Sequence, residues 1–148
     1  MAASGPVSGP VTAVQALQAA LAAEDAAIFG YGVAGAHLSG SRKSAAERDW
    51  TEHNKARDTL TAMIAALGAT PTAAQASYRL PFEVTDAASA AKLAAYLEEG
   101  VTRAYLGLVA VSDRRLRTFG ALAMQPPAER AAFWRGTTQA FPGLDAPD

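Results

Sequence analysis

The sequence contains no cysteine and only two histidines among its 148 residues. The absence of cysteine excludes disulfide bonds, thiolate metal sites and cysteine nucleophiles. No apolar run approaches the roughly 20 residues that a membrane-spanning helix requires. A Gly-rich phosphate loop, a Gly-x-Ser-x-Gly elbow and a His-Glu-x-x-His motif are also missing, so the sequence gives no support for the enzyme classes that depend on them.

Charge is sparse and evenly spread, with 13 lysines and arginines, 14 aspartates and glutamates and a net charge of −1. Because there is no basic block, nucleic acid is not an expected partner, and the run of Arg114, Arg115 and Arg117 is explained by a solvated helix face. The first residues lack the cationic start of a secretory signal. We therefore predict a cytoplasmic protein with neither a nucleic-acid nor a membrane partner.

Alanine, the best helix former, supplies 37 of the 148 residues. Two long segments carry apolar residues at alternating three- and four-residue spacing, which is typical of helices with one buried face. The first stripe consists of Val14, Leu17, Leu21, Glu24, Ile28, Tyr31, Gly35 and Leu38. The second consists of Trp50, His53, Arg57, Leu60, Ile64 and Leu67.

Local signals divide the chain into a flexible leader (1–11), a helical bundle (12–144) and a tail (145–148). The bundle is predicted to contain four helices, the first of which runs to about Leu38. The starts of the helices are predicted by capping boxes at Thr12–Gln15 and Ser44–Glu47 and by caps at Asp86 and at Ser112 or Asp113. The second helix should end at Gly68, and the fourth should break at Pro126–Pro127 before a last helical piece from Glu129 to Arg135.

The lengths of the connections predict the topology. Short turns join the first helix to the second and the third to the fourth, so each pair should form an antiparallel hairpin. The connection over roughly residues 69–86 is long enough to cross the bundle, and its Tyr78, Leu80 and Phe82 should pack across it. We predict an all-α four-helix bundle of ferritin-like topology, with a long crossover between helices 2 and 3.

Three polar residues, Glu24, His53 and Arg57, interrupt the two apolar stripes and should point into the bundle. A lone buried carboxylate is costly, so Glu24 should face Arg57 or His53 as an internal ion pair. Tyr31 should add a hydroxyl to this core polar cluster, and Tyr105 is a further candidate donor. The pattern indicates no catalytic residue.

A di-metal centre is the competing interpretation of the same residues. Carboxylate sites of ferritin-like bundles take a glutamate from each of two helices and a Glu-x-x-His from each of the other two. The candidates here are Glu24, Glu52, His53 and Glu98, of which Glu98 lies off the main apolar stripe of the third helix. The adjacent Glu52 and His53 project about 100° apart on a helix, and the fourth helix offers no carboxylate or histidine between Arg114 and Met124. We therefore expect no cofactor, with iron or another divalent metal as the alternative.

Six segments occur in a distinctive order along residues 12–144. They are 22–32 (AAEDAAIFGYG), 53–58 (HNKARD), 67–71 (LGATP), 78–82 (YRLPF), 134–136 (WRG) and 141–144 (FPGL). This set resembles the DUF4439 family of actinobacterial ferritin-like proteins. It departs from the family pattern at Asp25, where a histidine is expected, and at Pro126–Pro127, which interrupt the last helix. The resemblance implies a ferritin-like bundle and no established activity.

The preferred hypothesis is a non-catalytic structural or interaction protein with a metal-free core polar cluster. A homodimer is expected, because the small-residue face at Gly30, Gly32 and Gly35 and the aromatic end at Phe133–Trp134 need not be covered within one chain. The alternatives are a metal-binding ferritin-like protein or di-iron oxidase, and a binder of a small apolar ligand between the helices.

Overall fold

Helix α1 (Ala13–Gly35) opens the bundle in the computed structural model, which describes residues 11–136 of the chain. The predicted capping box is present, since Thr12 Oγ1 accepts a hydrogen bond from Gln15 N at 3.1 Å and Gln15 Oε1 accepts one from Thr12 N at 2.9 Å. These bonds satisfy backbone donors that the first helical turn leaves without partners. Nearly all of the predicted leader, the segment 141–144 and the tail lie outside the described residues.

Four more helices follow, and residues 11–136 contain no strand. They are α2 (Gly40–Ala66), α3 (Ala87–Leu108), α4 (Arg114–Ala123) and α5 (Gln125–Arg135). The predicted break in the last helix is confirmed, because α4 and α5 are separated at Met124 and together form the fourth side of the bundle. Pro126 and Pro127 lie in the first turn of α5, where backbone N–H groups have no acceptor within the helix. This piece therefore starts four residues before the predicted Glu129.

The start of α2 also differs from the prediction. The Ser44–Glu47 capping box does not form, because the helix already begins at Gly40, after Ser39. Gly40 has a φ of +57°, a conformation that glycine adopts without strain and that helps to reverse the chain in few residues. The predicted caps of α3 and α4 are confirmed, as Asp86 and Asp113 each accept a hydrogen bond from a backbone N–H three residues later.

The order of the helices is that of a bundle with one long crossover. The short turn before Gly40 folds α2 back against α1 as an antiparallel hairpin. Tyr105 contacts Glu24 while Glu98 contacts Tyr31, so α3 also runs antiparallel to α1. Helices α2 and α3 are therefore parallel to each other. The predicted all-α four-helix bundle is confirmed, and the crossover spans residues 67–86.

The crossover is packed against the helices, as predicted. The ring of Tyr78 lies 5.7 Å from that of Phe29, and the ring of Phe82 lies 6.5 Å from that of Tyr96. Leu80 and Phe82 are half-buried against the apolar core. These contacts explain how a long connection without secondary structure is fixed across the bundle.

The core is built from leucine and alanine on the facing sides of α1, α2 and α3, and Leu17, Leu60 and Leu93 are completely buried. Trp50, predicted to face inward, is 44% exposed. The prediction for Trp50 was wrong because α2 packs closely only on α1. A helix with one close neighbour buries a narrower face than the predicted stripe. Within the described part of the chain, none of the helices is both long and apolar enough to cross a membrane.

Candidate functional site

Eight polar or aromatic side chains from four helices meet in the middle of the bundle and form the core polar cluster. Three of them are at most 1% exposed and form its centre: Glu24 of α1, His53 of α2 and Glu98 of α3. The members around this centre are Tyr31, Asp49, Tyr105, Arg130 and Trp134. Each helix contributes its members one or two turns apart, so they share the inward face of that helix.

His53 joins the two buried glutamates. Its Nδ1 lies 2.5 Å from Glu24 Oε2, and its Nε2 lies 3.0 Å from Glu98 Oε1. Ionised carboxylates only accept hydrogen bonds, so a ring placed between two of them is best satisfied when both ring nitrogens donate. The geometry therefore describes an imidazolium between two carboxylates.

The pKa of His53 agrees with this charge state. Burial alone lowers the pKa of the imidazole, but the hydrogen bonds to Glu24 and Glu98 and the charges of both carboxylates outweigh it and raise the pKa to about 9. The pKa of Glu98 is shifted down. Burial raises the pKa of this carboxyl, but the hydrogen bonds and charges of His53 and Arg130 outweigh burial and lower it below its ordinary value. The pair is thus held in its charged form near neutral pH.

Arg130 of α5 supplies the second positive charge. Its Nε donates to Glu98 Oε1 at 2.8 Å, and this oxygen also accepts from Tyr31 Oη at 2.6 Å and from His53. The two central carboxylates, Glu24 and Glu98, thus face two cations, His53 and Arg130. The second oxygen of Glu98, Oε2, is buried and has no hydrogen-bond partner among the described residues.

Asp49 extends the cluster toward one end of the bundle. Its Oδ2 accepts from Trp134 Nε1 at 2.9 Å and lies 3.4 Å from Tyr31 Oη, whose single proton is donated to the nearer Glu98. Burial raises the pKa of Asp49, although the hydrogen bond from Trp134 opposes the shift. At the other end, Tyr105 Oη donates to Glu24 Oε1 at 2.7 Å. Burial and the carboxylates raise the pKa of both tyrosines, so their hydroxyls stay donors.

The structure brings together three of the four residues predicted for the core polar cluster, Glu24, His53 and Tyr31. Arg57 does not join them. Its guanidinium donates from Nε to the neighbouring Asp58 at 3.0 Å, and its side chain is 36% exposed. Arg57 lies one turn beyond His53, at the edge of the buried face of α2, and its side chain therefore reaches solvent. The arginine of the cluster is therefore Arg130 of α5 and not the predicted Arg57 of α2.

The four candidate metal ligands are only partly assembled. Glu24, His53 and Glu98 meet, whereas Glu52 lies on the outer side of α2 and pairs with Lys55 at 2.8 Å. A histidine ligand needs a ring nitrogen without a proton, but both nitrogens of His53 face carboxylate oxygens. The fourth helix contributes the cation Arg130 rather than a carboxylate or histidine. In residues 11–136 no group of three or more acidic, histidine or cysteine side chains is arranged to hold a metal ion, so the donor set does not fit a di-iron centre.

Sequence reasoning missed four members of the cluster, and the pattern contained a signal for most of them. Glu98 lies off the main apolar stripe of α3, but it is four residues after Ala94 and four before Thr102, and both of these are buried. This second stripe exists because α3 packs on α1, α4 and α5. Arg130 lies four residues before Trp134 on the inward face of α5, and both residues are within the predicted helical piece from Glu129 to Arg135. The two remaining members, Asp49 and Trp134, each lie four residues from another member on the same helix, His53 and Arg130.

An open cavity of about 250 Å³ lies beside the cluster, on the side where α2 and α4–α5 do not pack closely. We call it the α2–α5 cleft. Glu24 and Tyr105 form part of its lining, and its other lining residues are Glu52, Lys55, Ala56, Thr59, Phe119, Ala123, Pro126, Pro127 and Arg130. The cleft therefore extends to the edge of the cluster, where Glu24, Tyr105 and Arg130 line it.

Comparison with known proteins agrees with this architecture. Among solved structures, the chain is similar to a conserved hypothetical protein, rv2844, from Mycobacterium tuberculosis, with 33% identity and a TM-score of 0.78. That similarity covers 82% of this chain and 92% of the other. No curated protein matches the chain significantly. Residues 16–146 match the family described as "Domain of unknown function (DUF4439)", and the chain therefore belongs to the DUF4439 family.

Proposed function

We propose that this protein is a ferritin-like bundle in which a metal-free ion-pair cluster replaces a metal centre, and that its role is structural or interaction-based rather than catalytic. The observation that carries the proposal is the position of His53, with each ring nitrogen on a different buried glutamate. An imidazolium in this position provides the positive charge that a metal ion would otherwise provide between the same carboxylates.

The charges support the same conclusion. Glu24 and Glu98 are matched by His53 and Arg130, so a divalent cation would add uncompensated positive charge to a buried site. Binding it would also require His53 to lose a proton from one ring nitrogen, although its neighbours raise the pKa to about 9. Both requirements oppose metal binding near neutral pH.

An interaction role is supported by the outer surface. Trp50 is 44% exposed and Phe133 58% exposed, and both are large apolar side chains without cover in the described structure. A second copy of the chain is the partner we propose for such a surface, since twofold dimers are the commonest soluble assemblies. Light scattering should then give a dimer in a cytoplasm-like buffer, and a strict monomer at high concentration would contradict this part of the proposal.

Elemental analysis tests the central claim. Protein purified without added metal or chelator should contain no stoichiometric iron, and anaerobic addition of ferrous iron followed by oxygen should produce no stoichiometric binding and no oxygen-dependent absorbance. The matched control is His53→Gln, which should lose stability but have the same metal content as the wild type. Two equivalents of iron per chain in the wild type, lost in His53→Gln, would overturn the proposal.

One observation favours the alternative of a metal-binding protein. Glu98 Oε2 is buried without a hydrogen-bond partner in the described part of the chain, and such an oxygen could serve as a ligand. A single bound divalent ion that depends on Glu98 and not on Glu52 would support this alternative. The iron titration distinguishes the two functions, because it detects one equivalent as readily as two.

A further inference from the structure

The α2–α5 cleft has free hydrogen-bond donors but few free acceptors. Glu24 lines it, yet both of its carboxylate oxygens already accept hydrogen bonds, Oε2 from His53 and Oε1 from Tyr105. Glu52 at the rim accepts from Lys55. The carboxylate of Glu24 is thus fully engaged, and Glu52 keeps one free oxygen, Oε2, at the exposed rim.

Arg130 presents the opposite situation. Its Nε donates to Glu98 Oε1, and this is its only hydrogen bond among the described residues. The two Nη groups of the same guanidinium remain as donors, on a side chain that lines the cleft and is 18% exposed. Paired N–H groups of a guanidinium match the two oxygens of a carboxylate. Lys55 adds an exposed ammonium at the rim, which donates one N–H to Glu52 and has two further N–H groups.

The opposite wall of the cleft is apolar. Phe119, Ala123 and the adjacent Pro126 and Pro127 line it, and Phe119 is held edge-on against Tyr105 with ring centroids 6.1 Å apart. Engineered cavities of about 150 Å³ bind benzene, so a cavity of about 250 Å³ can take a somewhat larger apolar group. Small-molecule sites combine such a wall with a few converging polar groups.

We propose that the α2–α5 cleft binds a small organic carboxylate with an apolar body. Its carboxylate accepts hydrogen bonds from Arg130 and faces Lys55, and its hydrocarbon part lies against Phe119 and the two prolines. This inference goes beyond the proposed function and sharpens the third sequence-based hypothesis, a ligand held between helices, by giving the ligand a charge.

Calorimetric titration with three probes of one chain length tests the charge. Octanoate, n-octylamine and 1-octanol share an apolar body and differ in the head group. Octanoate should bind more tightly than either of the others by about tenfold or more, because hydrogen bonds to a charged group contribute roughly 1.5–3 kcal/mol. Equal affinities for octanoate and octylamine, or no binding of octanoate at millimolar concentration, would overturn the proposal.

Two pairs of variants test the location without disturbing the cluster. Ala123→Phe fills the cleft, whereas Ala121→Phe adds the same ring to an exposed position of α4. Octanoate binding should fall at least about tenfold in the first variant and stay unchanged in the second. Undiminished binding in a folded Ala123→Phe protein would refute the assignment.

The second pair concerns the rim charge. Lys55→Met should weaken octanoate binding by about twofold to fivefold, as expected for an exposed ion pair, while Lys92→Met, which removes a lysine beside Phe82, should have no effect. Equal effects of the two substitutions would contradict the proposed position of the carboxylate. Failure of these titrations leaves the metal analysis untouched, so the two proposals can fail separately.

Discussion

Helix α3 lies directly against α1 and α4, whereas α2 comes near α5 without packing closely on it. On the close side, a side chain added at Gly120 would meet Leu108 Cβ at 2.6 Å and the backbone oxygen of Tyr105 at 2.9 Å. On the open side, the connection between α2 and α5 passes through charged and polar side chains, such as Asp49 and Trp134.

The bundle is thus held together in two ways, by close packing between α3 and α4 and by a polar cluster between α2 and α5. Close packing depends on shape and dispersion contacts, and it is insensitive to pH. A polar cluster depends on every member being paired, because each buried charge left alone is costly. The open side should therefore be the more sensitive to loss of one group and to pH, and it is also the side that leaves room for a ligand.

The largest effect should follow loss of a central carboxylate. Glu24→Ala leaves His53 Nδ1 and Tyr105 Oη without an acceptor and should lower the free energy of unfolding by roughly 3–5 kcal/mol. The matched control, Glu52→Ala, removes an exposed carboxylate on α2 and should cost about 0–1 kcal/mol. Urea denaturation measures both. An unchanged midpoint for Glu24→Ala would mean that Glu24 is solvated.

The next effect is a loss of stability at alkaline pH. The folded-state pKa of His53, about 9, lies above the unfolded value of about 6.5. Its contribution is therefore complete below pH 6.5 and is lost as pH rises through about 9. The loss should be on the order of 3 kcal/mol.

Urea denaturation from pH 6 to pH 10 measures this loss. His53→Gln should be less stable at pH 6 and should lack most of this slope. A wild-type stability that stays constant over the range would show that His53 is neutral in the folded protein.

Arg130 and Arg57 test which arginine completes the cluster. Arg130→Met removes a hydrogen-bonded charge from Glu98 and should cost about 1.5–3 kcal/mol. Arg57→Met removes a half-exposed ion pair with Asp58 and should cost about 0–1 kcal/mol. If Arg57→Met lost more stability than Arg130→Met, Arg57 would be the arginine of the cluster, as predicted from the sequence. Thermal unfolding of the two variants at one pH is sufficient.

The sequence predicted the fold well because the relevant signals are local. Helix caps at Thr12, Asp86 and Asp113 depend on bonds over three residues, and the crossover follows from the length of one connection. The phase of the first helix placed Glu24 and Tyr31 correctly, because that helix packs on both α2 and α3 and buries a broad face.

The site was harder to predict because it depends on how many neighbours each helix has. Arg57 was predicted to face inward from the same stripe as His53, but α2 has only one close neighbour and buries a narrow face, and Arg57 lies at the edge of that face while Leu60 is buried. Glu98 was placed outside because α3 has three neighbours and buries two stripes rather than one. The partnership of Arg130 with Glu98 joins residues 32 positions apart, and no local pattern encodes that pairing.

The smallest expected effect tests the close side. Gly120→Ala replaces a glycine with a better helix former, which by itself stabilises a helix interior by about 1 kcal/mol. The added carbon would collide with the backbone of α3, and overpacking of this kind costs about 1–3 kcal/mol. The net result should be a loss of about 1 kcal/mol.

Gly100→Ala is the matched control for Gly120→Ala, since a carbon added at Gly100 of α3 meets nothing within 4 Å. It should gain up to about 1 kcal/mol from helix propensity alone. Denaturation midpoints that move in opposite directions would show that α4 touches α3 closely at Gly120. If both variants gain stability, α4 does not pack closely on α3 at Gly120. The two sides of the bundle would then not differ in packing as described.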